Sequence, residues 1–454
     1  MYIKRLFLVL FFLFISQFNY GQTSNYKNSI DDLLNYLVQE NSFLGSVEMR
    51  KGSEVIYNYS SNPLESKNGH YRIGSITKIF TAIIIFQLIE EKKLTLETPL
   101  NKFYPKIKNA ESITIENLLS HTSGIYNFTF WEDYYSTRKQ NFTKEQILEI
   151  IYSGKPDFKP TKDCSYSNSN YTLLGYIIED LTKKSYATNV KERITDKIYL
   201  KNTFVAESEH DIKDLKSYLF NGENWFEDIS SHPSLPFSAG AIISTTNDLN
   251  KFMDNIFQGN LVSKQSLFTM QNLKSKSIGH GLFKLPFYDK IGWGHTGSID
   301  EFKSVTSYFP TEDLYLSITT NGSRINLNDV MIGILSKYYD KKYDYPKFYH
   351  TEIQNPPILN FTGIYKAKLG GLITVGKFEI TPAENNYLFM NELQNDKIGE
   401  KALLERINSN TFYLRSAKGK LIFTLDKNNK VKKLVLEQGK MSIKCNKITK
   451  RNYR

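Results

Sequence analysis

Cysteine is scarce in this chain of 454 residues. The only two, Cys164 and Cys445, are far apart and fall in what read as different domains, so nothing in the sequence supports a disulfide between them. Histidine is scarce as well, with seven in all, and none stands at a metal-ligand spacing such as His-Glu-x-x-His. Neither an internal repeat nor a low-complexity tract is present, and no apolar run of membrane-spanning length follows the N-terminus. The formal net charge is +11, from lysines that are scattered and cluster only near the C-terminus (Lys430, Lys432, Lys433, Lys447, Lys450). No nucleic-acid-binding signature accompanies them, so the charge reads as surface solubility, with weak attraction to anionic envelope polymers.

What is present describes a globular protein. With 40% hydrophobic and 23% charged residues, the chain has material for a large core and length for two or three domains. Its first residues differ from the rest. Lys4 and Arg5 precede an unbroken apolar run, Leu6 to Ile15, and a polar stretch leads to Gly21. That order is the charged, apolar and cleavage regions of a secretory signal peptide, assigned to residues 1–21, and it predicts export to the periplasm or the cell exterior. No Cys follows the apolar run, so nothing marks a lipid anchor.

From residue 22 to 343 the periodicity alternates between helix and strand. Ile30, Leu33, Leu34, Leu37 and Val38 mark an amphipathic helix, and Phe43 to Lys51 and Glu54 to Tyr59 read as a hairpin around Gly52-Ser53. A mostly helical middle follows. Gly279 to Leu285, Ile291 to His295, Phe302 to Phe309 and Leu314 to Thr320 then read as strands, and Leu327 to Tyr339 as a closing helix. The expected layout is α+β, with terminal helices packed on one antiparallel sheet built from both ends and a helical region inserted between. Residues 344–357 are a Pro-containing linker. From 358 to 454, seven short strands separated by Gly, Asn and Asp turns predict a small all-β sandwich or barrel, whose alternation a core alone explains.

Three Ser-x-x-Lys pairs occur: Ser24/Lys27, Ser75/Lys78 and Ser136/Lys139. Only Ser75 is followed by an apolar helical run (Ile79, Phe80, Ala82, Ile83, Leu88, Ile89). That places Ser75 at the start of a buried helix with Lys78 one turn on, on the same face. A Ser hydroxyl becomes a nucleophile when a neighbouring base takes its proton. Tyr166-Ser167-Asn168 opens another helix. Its Tyr is a candidate base or relay if a nearby cation, such as Lys78, favours ionisation, and its Asn can orient a substrate amide. His295-Thr296-Gly297-Ser298 ends a predicted strand, where a backbone edge can bind an extended acyl chain. His121-Thr122-Ser123-Gly124 reads as structural. The aromatic stretch 125–141 fits either a pocket wall or a satellite hydrophobic cluster.

In their order and spacing these motifs resemble the serine β-lactamases and penicillin-recognising peptidases, most closely the class C branch with its D-peptidase and esterase relatives. The likeness runs from about Asn28 to Tyr339. It implies an acyl-enzyme on Ser75, proton shuttling by Lys78 and Tyr166, and positioning by Asn168. It also implies an oxyanion hole from the amides of Ser75 and Ser298, with Thr296 hydrogen-bonding the substrate and His295 and Gly297 completing that strand. No cofactor or metal is implied. The C-terminal module resembles the lipocalin-like domains found behind such hydrolases. His295 departs from the pattern, since the β-lactamases usually carry Lys there and no Lys-Thr-Gly or Lys-Ser-Gly exists in the chain. The expected substrate is therefore an ester or a D-amino-acid peptide. A β-lactamase proper and a penicillin- or peptidoglycan-binding module without turnover are the alternatives.

Overall fold

The computed structural model describes residues 26–61, 69–350, 352–369, 373–394 and 397–448; side chains 369, 394, 397 and 398 are not described. The predicted signal peptide and Ser24 lie outside these residues. In the body of the protein the described strands run, in chain order, β1 (Phe43–Lys51), β2 (Glu54–Ser60), β3 (Tyr71–Arg72), β4 (Phe204–Val205), β5 (Tyr218–Phe220), β6 (Trp225–Glu227), β7 (Ile242–Ser244), β8 (Phe283–Phe287), β9 (Lys290–Ile299), β10 (Phe302–Phe309) and β11 (Leu314–Ser323).

Six of them form one antiparallel sheet in the order β2-β1-β11-β10-β9-β8. The first described strand, β1, therefore pairs with the last body strand, β11, Val47 opposite Ile318, as expected of a sheet built from both ends. Every residue of β11 is buried, the signature of a strand covered on both faces. On one face the helix spanning 26–39 and the helix Leu327–Tyr338 bury Leu33, Leu34, Val330 and Ile334 against Val47, Val305 and Ile318. On the other lies the helical region, with the helix Thr77–Glu90 at its centre. Residues 77 to 88 of that helix are all buried, so it is enclosed on every side, and Phe80 stacks on Phe252 at 3.7 Å.

Beyond the body, β12 (Gly363–Leu369), β13 (Ile373–Pro382), β14 (Leu388–Gln394), β15 (Lys397–Arg406), β16 (Thr411–Leu414), β17 (Gly419–Leu425), β18 (Val431–Gln438) and β19 (Met441–Lys447) close into an antiparallel barrel, β12 pairing with β19. The barrel resolves the choice between sandwich and barrel, and it has eight strands where the sequence pattern gives seven. The extra strand is β15. The interior is filled by Phe361, Tyr365, Phe412 and Phe423, with Cys445 among them. Both cysteines are free, so no disulfide joins the two units. Residues 344–350 and 352–357 lack regular structure but are strapped down, with the Tyr36 hydroxyl donating to the Pro346 carbonyl (2.9 Å).

The barrel docks through a buried charge cluster. Glu405 of β15 pairs with Arg324 at 2.8 Å and with Arg415 at 2.5 Å, and its side chain is 1% exposed. Burial alone would raise its pKa, but the hydrogen bonds and charges of Arg415 and Arg324 hold it below the ordinary carboxylate value. The Glu384 N–H donates to the Asn221 carbonyl (2.9 Å), and Phe389 meets Phe226 edge to face. The hairpin β5–β6 is thus part of the body's side of the seam, together with Arg324.

Candidate active site

Ser75 lies in a single 3-10 turn, Gly74–Ile76, that runs into the helix Thr77–Glu90. Gly74 has φ +50, in the left-handed region, and a Cβ on it would sit 2.7 Å from the Ser298 nitrogen. A Cβ on Gly297 would come within 2.0 Å of the Ile73 carbonyl oxygen. Backbone therefore meets backbone here, and glycine at both positions lets β9 lie against the turn that carries Ser75. The Ser298 backbone therefore lies beside the turn that carries Ser75.

Lys78, one turn on, is fully buried. Its Nζ lies 2.9 Å from Ser75 Oγ, 2.8 Å from Asn168 Oδ1 and 2.7 Å from the Ala239 carbonyl oxygen. The Tyr166 hydroxyl donates to Ser75 Oγ at 2.8 Å. Burial holds the Lys78 pKa well below the ordinary lysine value. As a neutral amine Lys78 has two N–H donors, which match the two oxygens of Asn168 and Ala239, and a lone pair left facing the Ser75 hydroxyl. Burial raises Tyr166, although its bond with Ser75 pulls the other way, so it stays a phenol that donates to Ser75 Oγ. Burial thus opposes the ionised Tyr that a charged Lys78 is expected to favour, and it leaves Lys78 as the candidate base, with Tyr166 able to pass a proton on.

Asn168 begins the helix Asn168–Thr182, three residues before the apolar pattern starts at Tyr171. Its N–H donates to Asn127 Oδ1 (3.1 Å). His121 is buried with φ +58, and its Nδ1 accepts from the Ser167 N–H (3.1 Å). Burial first, then Lys78 and His295, keep His121 neutral, which suits an acceptor that fixes the Tyr166–Asn168 segment.

His295, Thr296, Gly297 and Ser298 lie within β9, not at its end: the strand continues to Ile299 because Gly297 and Ser298 still pair with Ser304 and Lys303 of β10. His295 is buried behind the site, 4.1 Å from the Phe283 ring and 6.4 Å from the Tyr166 ring. Burial, with Lys78 adding, pushes it down to about 3, so it supplies no positive charge at neutral pH.

Ser75, Asn168 and Ser298 line a cleft of about 600 Å³. Phe128, Phe130, Tyr134 and Tyr135 form one of its sides, so the aromatic stretch is a pocket wall. Ser136 is exposed on that segment and its hydroxyl donates to the Asp133 carbonyl (3.1 Å). Two kinds of contributor escaped the sequence. The Ala239 carbonyl is backbone on a short helix, Phe237–Gly240, and leaves no side-chain signature. The other is the barrel, whose Glu392, Glu400 and Lys401 line the same cleft. Among the described residues no group of three or more His, Cys, Asp or Glu is placed to hold a metal ion, and no helix is long and apolar enough to cross a membrane.

Comparison with known proteins gives this geometry a context. The profile of the family described as Beta-lactamase matches residues 31–331. A teichoic acid D-alanine hydrolase of Staphylococcus aureus is 29% identical over 224 residues, 48% of this chain and 53% of that protein. The chain thus spans about half the length of that curated relative. A D-stereospecific amidohydrolase from Streptomyces aligns in structure over 70% of this chain and 99% of its own, with a TM-score of 0.63 and 26% identity. The octameric penicillin-binding protein homologue of Pyrococcus abyssi covers 92% of this chain and 99% of its own at a TM-score of 0.60 and 20% identity, a likeness of fold that reaches into the barrel.

Proposed function

The chain belongs to the Beta-lactamase family and is a serine hydrolase of that superfamily, and from this we propose that it cleaves D-aminoacyl esters or amides through an acyl-enzyme on Ser75. The observation that carries the proposal is the pairing of Ser75 with a buried Lys78 whose three polar neighbours suit a neutral amine. In the reaction, the Ser75 hydroxyl proton passes to Lys78 as Oγ attacks the carbonyl. The amides of Ser75 and Ser298 hold the oxyanion. Tyr166 relays the proton to the leaving group, and water then releases the acyl group from Ser75 by the reverse path. Asn168 keeps Lys78 in place and faces the cleft with its amide.

A D-amino-acid substrate is supported by the relatives, one printed as a D-alanine hydrolase and one as a D-stereospecific amidohydrolase. Efficient β-lactam hydrolysis is disfavoured by the neutral, buried His295 where the β-lactamases keep a cation. Reading residues 1–21 as a secretory leader places the enzyme in the cell envelope or outside it. The test is hydrolysis of D-alanine and L-alanine methyl esters, D-alaninamide and a chromogenic β-lactam by wild type and Ser75→Ala. Ser75-dependent turnover that favours the D-alanyl compounds is expected. Turnover that survives Ser75→Ala, or confinement to the β-lactam, overturns the reading.

A further inference from the structure

The cleft has a wall that the body of the protein does not supply. Glu392 of β14 and Glu400 and Lys401 of β15 reach it from the barrel, and Glu301, on the turn between β9 and β10, faces it from the body. The contact between the two units at this wall is close: a Cβ on Gly399 would lie 3.6 Å from the Tyr135 ring. Burial, with Glu400 and Glu392 adding, pushes the Tyr135 hydroxyl up to about 12.

The carboxylates of the cleft are not alike. Asp300 is paired with buried Arg72 at 2.7 Å, and Asp228 with Arg138 at 3.2 Å. The Glu301 carboxyl has no hydrogen bond or ion pair among the described residues; only its backbone N–H is engaged, donating to Ser217 Oγ (3.3 Å). Burial pushes Glu301 up to about 7, with Lys303 pulling down and Asp228, Glu400 and Asp300 adding to the rise. Burial and Glu392 raise Glu400 as well, against Lys303. Lys303 gives a hydrogen bond to the Ser323 carbonyl (2.8 Å). Carboxylates crowded into a partly dehydrated cavity cost free energy until a cation joins them. A second observation points the same way: the charged residues lining the cleft are five carboxylates (Asp228, Asp300, Glu301, Glu392, Glu400) against two cations (Arg138, Lys401), and Arg138 is already paired with Asp228.

We propose that the barrel is the selectivity wall of this cleft: Glu301, Glu392 and Glu400 form the subsite for a positively charged group on the substrate, so the favoured class is an aminoacyl ester or amide with a free ammonium. The proposal rests on the hydrolase reading at Ser75 and adds the charge of the substrate to it. The Glu405 cluster that docks β15 keeps the two barrel carboxylates in register with the body. Selectivity should strengthen as pH rises through about 7, where Glu301 loses its proton among Asp228, Asp300, Glu400 and Lys303.

The test compares D-alanine methyl ester with its N-acetyl derivative, which keeps the ester bond and removes the charge. Wild type should favour the charged ester about tenfold or more in kcat/KM, and the ratio should fall toward one in Glu301→Gln/Glu400→Gln and in the milder Glu400→Gln. A ratio unchanged in both variants, or a wild-type preference for the N-acetyl ester, overturns the proposal. If neither ester is turned over, the hydrolase reading has failed on its own, and the subsite is then read by calorimetric titration of D-alaninamide into Ser75→Ala and Ser75→Ala/Glu301→Gln/Glu400→Gln. Binding about tenfold weaker in the second protein supports the subsite; equal binding overturns it.

Discussion

The two walls of the cleft are built on opposite physics. Behind Ser75, Lys78, His121 and His295 are buried, which disfavours the charged form of each, and each has its place fixed by the Tyr166–Asn168 segment, the Ala239 carbonyl or β9. Across the cleft, the barrel offers exposed glutamates whose position depends on the docking of one domain against another. The difference separates two tasks. Proton transfer needs a pKa moved a long way, which only burial achieves, whereas selection among substrates needs charge left available to the ligand.

The sharpest way to break the buried side is Ser75→Ala, which should lower kcat by roughly 10⁶-fold and leave the melting curve nearly unchanged. Next is Gly297→Ala. Its Cβ cannot sit 2.0 Å from the Ile73 carbonyl, so β9 must move. A displacement of about 1 Å costs on the order of 10²-fold in kcat, measurable with any ester substrate. On the barrel side, Glu405→Ala leaves Arg324 and Arg415 buried without their partner and should destabilise the protein by about 3–5 kcal/mol in chemical denaturation.

The pH dependence of stability should then separate Lys78, behind Ser75, from Glu301, a carboxylate of the body in the cleft, by sign. Lys78 has a folded pKa below its unfolded value, so the folded state binds fewer protons and stability rises with pH between that lowered value and 10.5. Glu301 has a folded value of about 7 against an ordinary 4.5, so stability falls as pH rises through that interval. Denaturation of wild type and Glu301→Gln from pH 4.5 to 7.5 should show the fall in wild type and its relief in the variant. The smallest effect belongs to Ser136→Ala: the exposed Ser-x-x-Lys pair does no chemistry, so activity should be unchanged and stability should stay within about 0.5 kcal/mol.

The same contrast governs what could be read in the sequence. Ser75 and Lys78 are legible because a three-residue spacing across the start of a buried helix brings both side chains together. Tyr166 and Asn168 are legible because their helix starts where they stand. The alternating strands and terminal amphipathic helices disclosed the sheet and its layers. What escaped was fixed from further away. The strand β15 reads Lys-Ile-Gly-Glu-Lys-Ala-Leu-Leu-Glu-Arg, rich in helix formers and nearly without β-branched residues, so its pairing with β14 and β16 decides its state. Two-residue strands such as β3 are too short to alternate. The stretch after His295 punctuates with Gly, yet pairing with β10 carries it on as strand. The Ala239 carbonyl has no sequence signal at all, since any residue there offers one.

The central claim is that Ser75 is the nucleophile and that buried, neutral Lys78 makes it one. Intact-mass and peptide mapping after reaction with a fluorophosphonate tests it most directly. One adduct per chain, located on Ser75 and formed at least 10²-fold more slowly in Lys78→Met, is the result predicted. An adduct on another serine, or labelling of Ser75 at the same rate without Lys78, would contradict it.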